Sequence, residues 1–411
     1  MNEPSLPLAT GGGPAHMKPH SPSHWRMALV LGSLTAFGPL AIDTYLPSFP
    51  AISRDLGVEP SSVEATVAVY FLGLALGQSF YGPVADRWGR KRPLYAGLLL
   101  FILASAGCAL TQSIGALIAL RFLQALGGSA QIVVARAVVR DYFDERDSAR
   151  VLSLLMLVMG LAPILAPLLG GQLVGFFGWR SIFWTLAAFA TACLVAVSFT
   201  LAESLPPERR LRPSPATVFR LYGSQLANRQ FMAPVLAGAL ISAGMFAYIA
   251  GSPFVFMEIF GVSPAHFGLF FGSNALGLIA ASQINARLVR RFAPARILTV
   301  VLIVTAAAGL VLLGTATTGI GGFPGLLAPL FLFVASLGFV APNATALAMG
   351  PQGRNAGSAS ALLGVTQFTL GGIAGGLVSA LYDGTPLPMA LVIALCGLGA
   401  CAIHLLLGRR R

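Results

Sequence analysis

Charge is what this 411-residue sequence has least of: Asp, Glu, Lys and Arg together make up 10% of it, and the acids number only 14. So little charge cannot coat soluble domains of this size, and 56% hydrophobic residues with a mean hydropathy of +0.80 place the chain in a membrane. Alternation of polar and apolar residues is missing, which excludes an outer-membrane barrel. Cysteine is scarce, and Cys108, Cys193, Cys396 and Cys401 are scattered through apolar runs, so neither a disulfide framework nor a metal site is expected of them. His16, His20 and His24 have the spacing of a helical metal site, but Pro19 and Pro22 break any helix there, and no metal is expected. A P-loop, paired catalytic carboxylates and a Ser/His/Asp constellation are all lacking, which excludes an ATP-driven pump or a membrane hydrolase; no enzyme, catalytic residue or cofactor is expected. The net charge of +12 has no aromatic-interleaved basic face, so nucleic acid is not an expected partner.

What is present is repeated apolar stretches of about 20 residues, each long enough to cross roughly 30 Å of hydrocarbon as a helix. Twelve are expected, near 26–48, 63–83, 93–111, 115–136, 151–175, 180–201, 230–256, 265–286, 296–315, 323–347, 356–381 and 387–407. With the N-terminus inside, 23 Lys and Arg residues fall in inner segments and only Arg54 and Arg180 in outer loops, leaving Arg121 within a span. Both termini are therefore expected in the cytoplasm, with the lipid bilayer as an obligate partner. The 47 glycines and 27 prolines are tolerable in closely packed or bent membrane helices.

The longest connection, 203–228, is rich in Arg and Pro and divides the spans six and six. An offset of 204 superposes Gly57 on Gly261, Pro60 on Pro264, Gly73 on Gly277, Arg87 on Arg291 and Arg92 on Arg296. The fold expected is an all-α integral membrane protein, twelve transmembrane helices in two pseudo-symmetric six-helix bundles. The boundaries are a disordered cytoplasmic tail 1–25, a first bundle 26–202, a linker 203–228, a second bundle 229–407 and a basic tail 408–411.

The loop after the second span reads Gly82-Pro83-Val84-Ala85-Asp86-Arg87-Trp88-Gly89-Arg90-Lys91-Arg92. It resembles the signature loop of the major facilitator superfamily, Gly-x-Leu-Ala-Asp-Arg-x-Gly-Arg-Arg, with Val84 in place of Leu. Gly82 and Gly89 would permit a tight turn. The resemblance implies that Asp86 docks near Asn355 at the start of the eleventh span, and that Arg136 joins these residues in a conformational switch. In the fourth span, Arg121-Phe122-Leu123-Gln124-Ala125 is similar to the superfamily's Arg-x-x-Gln-Gly motif. A guanidinium in hydrocarbon costs about 2.5–3.5 kcal/mol on insertion scales. Its candidate partner is Asp43, read as the only acid inside a span of the first half and placed at similar depth by helical rise.

Around Asp43, Pro39 to Pro50 resembles the first-span signature of Bcr/CflA drug exporters, and 248–255, 343–348 and 355–361 agree with it. The fifth span carries Ala162, Ala166, Pro167, Gly170 and Gly171 where such exporters have a glycine-rich antiporter motif. Pro163 and Pro167 should bend that helix, and the small residues should let the halves approach. The resemblance implies a multidrug efflux antiporter of a bacterial inner membrane, taking drug-like molecules and protons as its partners and working as a monomer, with Asp43 and Arg121 coupling protons. The expected midplane cavity is lined by Tyr45, Tyr70, Gln78, Gln124, Gln131, Met159, Tyr248, Ser252, Asn274, Asn343 and Gln367. A proton-coupled symporter for a nutrient would use the same fold, and a membrane sensor would need a signalling domain that tails of about 25 and 4 residues are not expected to hold.

Overall fold

The computed structural model describes residues 24–142, 145–210, 215–352 and 356–408. The first span is broken into α1 (His24–Thr35), α2 (Phe37–Asp43), a 3₁₀ turn (Leu46–Ser48) and α3 (Phe49–Leu56). Where one helix over 26–48 was expected, the path bends by 40° and continues to Leu56. Pro39, Pro47 and Pro50 each lack an N–H donor, so a regular ladder cannot run through this segment. There follow α4 (Pro60–Trp88), α5 (Lys91–Leu110), α6 (Ile114–Tyr142), α7 (Glu145–Phe177) and α8 (Arg180–Thr200). The linker is not wholly irregular: it forms α9 (Pro215–Leu226), which packs on the second half. That half comprises α10 (Arg229–Pro253) with a π-helical extension (Phe254–Ile259), α11 (Pro264–Leu288), α12 (Pro294–Thr318), α13 (Gly322–Met349), α14 (Ala356–Ala380) and α15 (Leu387–Gly408). Eleven described helices are long and apolar enough to cross a membrane, and the bent first pair makes twelve.

The two bundles repeat one packing pattern. In the first half α4 and α5 lie on α6, α5 on α8, and α1 and α2 on α7; in the second α11 and α12 lie on α13, α12 on α15, and α10 on α14. Gly57 and Gly261 both take left-handed backbone, φ +63° and +68°, and Pro60 and Pro264 each open the next helix. Between the halves α4 packs on α14 and α7 on α11.

One end of the molecule carries the 89–91 turn and the linker; we call it the linker end. At the opposite end the halves are closed on each other. Gly171 of α7 meets the backbone of Pro264 and Gly268 of α11 meets Leu168, while within the first half Gly170 meets the Thr44 carbonyl. Ser379 Oγ donates to the Ser61 carbonyl at 2.7 Å between the halves, and within the second half Phe254 sits edge-on to Tyr382 at 4.7 Å. Towards the linker end the space between the halves reaches Arg136 of α6. The space between them is thus shut at one end and directed towards the linker.

Candidate functional site

That space is a cavity of about 310 Å³ whose wall is mostly apolar. Its first-half side comes from the broken span, α4, α6 and α7, and its second-half side from α10, α11, α13 and α14. Asp43 is the last residue of α2, between the 40° bend at Ala36 and the 3₁₀ turn, and it lines the cavity. It is 4% exposed, and no described residue gives it a hydrogen bond or ion pair. Tyr248 of α10 lies within its electrostatic reach. The Tyr248 hydroxyl accepts from Asn274 Nδ2 at 2.9 Å, and its ring stacks on Phe271 at 5.3 Å and 16°. Met159, Gln367 and, towards the linker end, Arg136 complete the polar and polarisable part of the wall.

Five of the eleven expected lining residues do not line this cavity because they are held in contacts between or within helices, and two more are buried elsewhere. Arg121 is fully buried, and its guanidinium lies over the rings of Tyr45 and Tyr70, 4.5 and 4.2 Å from their centroids. Its Nη1 donates to Gln124 Oε1 at 2.5 Å, and Gln124 Nε2 donates to Ser105 Oγ at 2.7 Å. Asp43 is not among its partners. The expected ion pair is therefore absent: helical rise equated the depths of the two residues, but they face different ways around the bundle, and aromatic faces receive the cation instead. The Gln131 amide faces the carbonyls of Gly127 and Gly128 in its own helix and, with its nitrogen turned towards them, donates to both at 2.7 and 2.6 Å. Asn343 donates to Asn285 Oδ1 at 2.6 Å, tying α13 to α11. Gln78 is packed against Gly364 in the α4–α14 seam, and Ser252 is buried a turn beyond Tyr248. The wall gains instead Phe246 and Phe368, stacked at 5.5 Å and 20°, neither of which was singled out from the sequence.

The reading of Asp43 as the first half's only acid within a span also fails. Glu64 lies in α4, 1% exposed.

At the linker end the 86–91 segment is held within its own half. Gly82 lies inside α4 with open space beside it, so only Gly89, at φ +90°, makes the turn. Asp86 Oδ1 accepts from Arg90 Nη1 at 2.7 Å, and Arg90 Nε donates to Asp141 Oδ2 at 2.9 Å. Burial would pull the Arg90 guanidinium down, but its bonds to Asp141 and Asp86 outweigh this and hold it above its ordinary value. Glu203 accepts the backbone N–H groups of Arg90 (2.7 Å) and Lys91 (3.2 Å), a carboxylate at the N-terminus of α5. A Cβ on Gly89 would strike that carboxylate, so the glycine serves both the turn and the cap. Arg87 is exposed, Lys91 Nζ lies 5.5 Å from the Tyr95 ring, and Asn355 lies outside the described residues. Glu203 and Asp141 were not singled out from the sequence; an acid just past a span end, opposite a glycine turn, was the available signal.

In α7, Ala162 and Ala166 are buried, and Pro163 and Pro167 both lie inside the helix. Gly170 and Gly171 sit at the closed end against the first span and α11.

Two six-helix halves, related by one packing pattern and enclosing a cavity between them, make the arrangement of one transporter family, and the Major Facilitator Superfamily model matches residues 31–376. This chain belongs to the major facilitator superfamily. This major facilitator is 39% identical to the uncharacterized MFS-type transporter YdgK of Bacillus subtilis over 369 residues, 89% of this chain and 91% of that one. It is 32% identical to a bicyclomycin resistance protein homolog of Haemophilus influenzae (90% and 92% covered) and 33% identical to the multidrug resistance protein MdtL of Escherichia coli (82% and 83%). Among solved structures it superposes, with a TM-score of 0.69 at 17% identity, on a bacterial homolog of the human lysosomal transporter Spinster in an inward-facing, unoccupied conformation, covering 94% of this chain and 96% of that one. That likeness concerns the fold alone.

Proposed function

We propose that this multi-pass membrane protein is a proton-coupled antiporter that exports small amphipathic, drug-like molecules across a bacterial inner membrane, with the linker end and both termini in the cytoplasm. The observation that carries the reading is Asp43, an acid without a charged partner set in the wall of a largely apolar cavity. Apolar and aromatic walls accept varied ligands by shape, and one titratable group lets a proton and a ligand compete. Excess Lys and Arg on the linker side support the orientation, and the names of the Haemophilus and Escherichia relatives support export over uptake.

In this cycle the cavity, closed on the outside, takes up a drug from the cytoplasmic side as Asp43 gives up its proton. The halves then rock about the α4–α14 and α7–α11 seams, and an external proton returns to Asp43 as the drug leaves. A membrane potential of 100 mV adds about 2.3 kcal/mol for each charge moved, so exchange of one proton for a neutral drug is electrogenic. Arg121, stacked on Tyr45 and Tyr70, has a positioning role: it braces α6 against the broken span that carries Asp43.

The test is reconstitution in liposomes with an imposed pH gradient and a panel of neutral and cationic drugs. The wild type should drive drugs uphill, and Asp43→Asn should bind drug but only equilibrate it. Uphill export by a well-folded Asp43→Asn protein would overturn the assignment.

A further inference from the structure

Glu64 plays no part in the cycle above, yet its placement is unusual. It lies one turn into α4, 1% exposed, and its Oε2 has no hydrogen-bond partner among the described residues. Its face of the helix is identified by its neighbours. Ser61, three residues earlier, accepts from Ser379 of α14, and Ala68, four residues later, packs against Gly372 and Gly375 of the same helix. Positions i−3, i and i+4 share one face of a helix. The carboxyl therefore lies in the α4–α14 seam, between the two halves, at the end that is closed.

The surroundings are acidic. The Tyr382 phenol, just beyond α14, is held above its ordinary value by burial first and then by the carboxylates of Glu64, Glu59, Glu258 and Asp383. Glu59 comes from the start of α4, and Glu258 from the extension of α10. Of the cations near this end, Arg54 of α3 is turned back on the Pro50 carbonyl at 3.1 Å, and Arg180 is taken by Asp55 at 2.6 Å. Arg121 of α6, with Cys108 of α5 near it, stands against Tyr70, about 9 Å further along α4. No described residue forms an ion pair with Glu64. An unpaired carboxylate ion shut into such a seam is several kcal/mol less favourable than the neutral acid.

We infer that Glu64 is a proton latch on the outer seam: it is protonated while the seam is closed and ionised when opening exposes it to external water. Taken with the orientation proposed above, the latch exchanges protons only with the outside, because the closed seam separates it from the cytoplasmic mouth. Its proton therefore biases the conformational equilibrium without adding to the number of protons carried across. External acid favours closure and the inward-facing state, which hastens the return half of an exporter's cycle. External alkali, by removing the proton, favours the open seam, and the three neighbouring carboxylates of Glu59, Glu258 and Asp383 add their repulsion.

The test needs neither drug nor gradient, so its failure is separate from failure of the antiport reading. Spin labels at Gln112→Cys and Thr317→Cys, with the native cysteines replaced, report the separation of the outer ends in full-length protein in nanodiscs. Asp43→Asn serves as the parent, to remove that titration. The open-to-closed ratio of the parent should rise with pH by up to about tenfold per unit, the limit for one linked proton. Glu64→Gln should stay closed at every pH, and Glu64→Asp should keep a slope. A Glu64→Gln protein that titrates like its parent, or a parent with no slope, overturns the inference.

Discussion

The Arg121 guanidinium lies 4.2 Å from the centroid of the Tyr70 ring and makes no ion pair with Asp43. Arginine can be held this way because its flat, weakly hydrated cation stacks on aromatic faces, whereas an ammonium needs point acceptors. A double-mutant cycle of Arg121→Met with Tyr70→Leu, read by chemical unfolding in detergent, should give a coupling energy of about 1–2 kcal/mol. The same cycle with Asp43→Asn should give none beyond error. A large Arg121–Asp43 coupling would restore the ion pair.

Substitution at the closed end should act on conformation. A Cβ on Gly171 would stand 3.2 Å from the Pro264 carbonyl carbon of the other half, whereas one on Gly175 meets nothing within 4 Å. Overpacking typically adds about 1–3 kcal/mol, enough to shift the closed-to-open ratio at least fivefold. Gly171→Ala should therefore open the outer end in distance measurements and slow export, and Gly175→Ala should do neither.

The turn between α4 and α5 makes a separate claim. Glu203→Gln removes the charge from two hydrogen bonds to the N-terminus of α5 and should lower stability by about 1–2 kcal/mol. Gly89→Ala should lower it further, since φ +90° and contact with Glu203 both exclude a side chain. Asp86→Asn should slow turnover with little change in drug affinity, because Asp86 lies away from the cavity. Thermal unfolding in detergent and equilibrium drug binding separate the three.

Phe246 and Phe368 should dominate ligand affinity. Truncating either to Ala removes a ring from the cavity wall and should weaken binding of aromatic drugs about 10- to 100-fold, as expected for loss of 1.5–3 kcal/mol of apolar contact. Asn343→Ala, which breaks the bond to Asn285, should lower stability while leaving affinity within a few-fold.

These residues mark how far the sequence could be read. The spans and their repeat were legible because hydropathy over 20 residues and turn-forming Gly and Pro are local signals; Gly57 and Gly261, paired by offset, share the same left-handed backbone. The cavity wall was not legible. In helices apolar on every side, Phe246 facing a cavity and Phe199 facing lipid are written in the same letters. Gln124 and Gln131 drew notice as polar residues, but their partners, Ser105 and the carbonyls of Gly127 and Gly128, depend on packing and local geometry that polarity alone does not encode. Depth along a helix follows from residue counting, whereas the direction a side chain faces depends on how neighbouring helices pack, which is why Arg121 was assigned the wrong partner.

The contact of Gly171 with Pro264 and Ala265 sets glycine directly against the main chain of the other half, with no side chain interposed. Such a surface has no rotamers to freeze when it forms, whereas each long side chain immobilised at an interface loses about 0.5–1.5 kcal/mol of entropy. At this contact, closing the end is therefore a matter of bringing two rigid backbones into register.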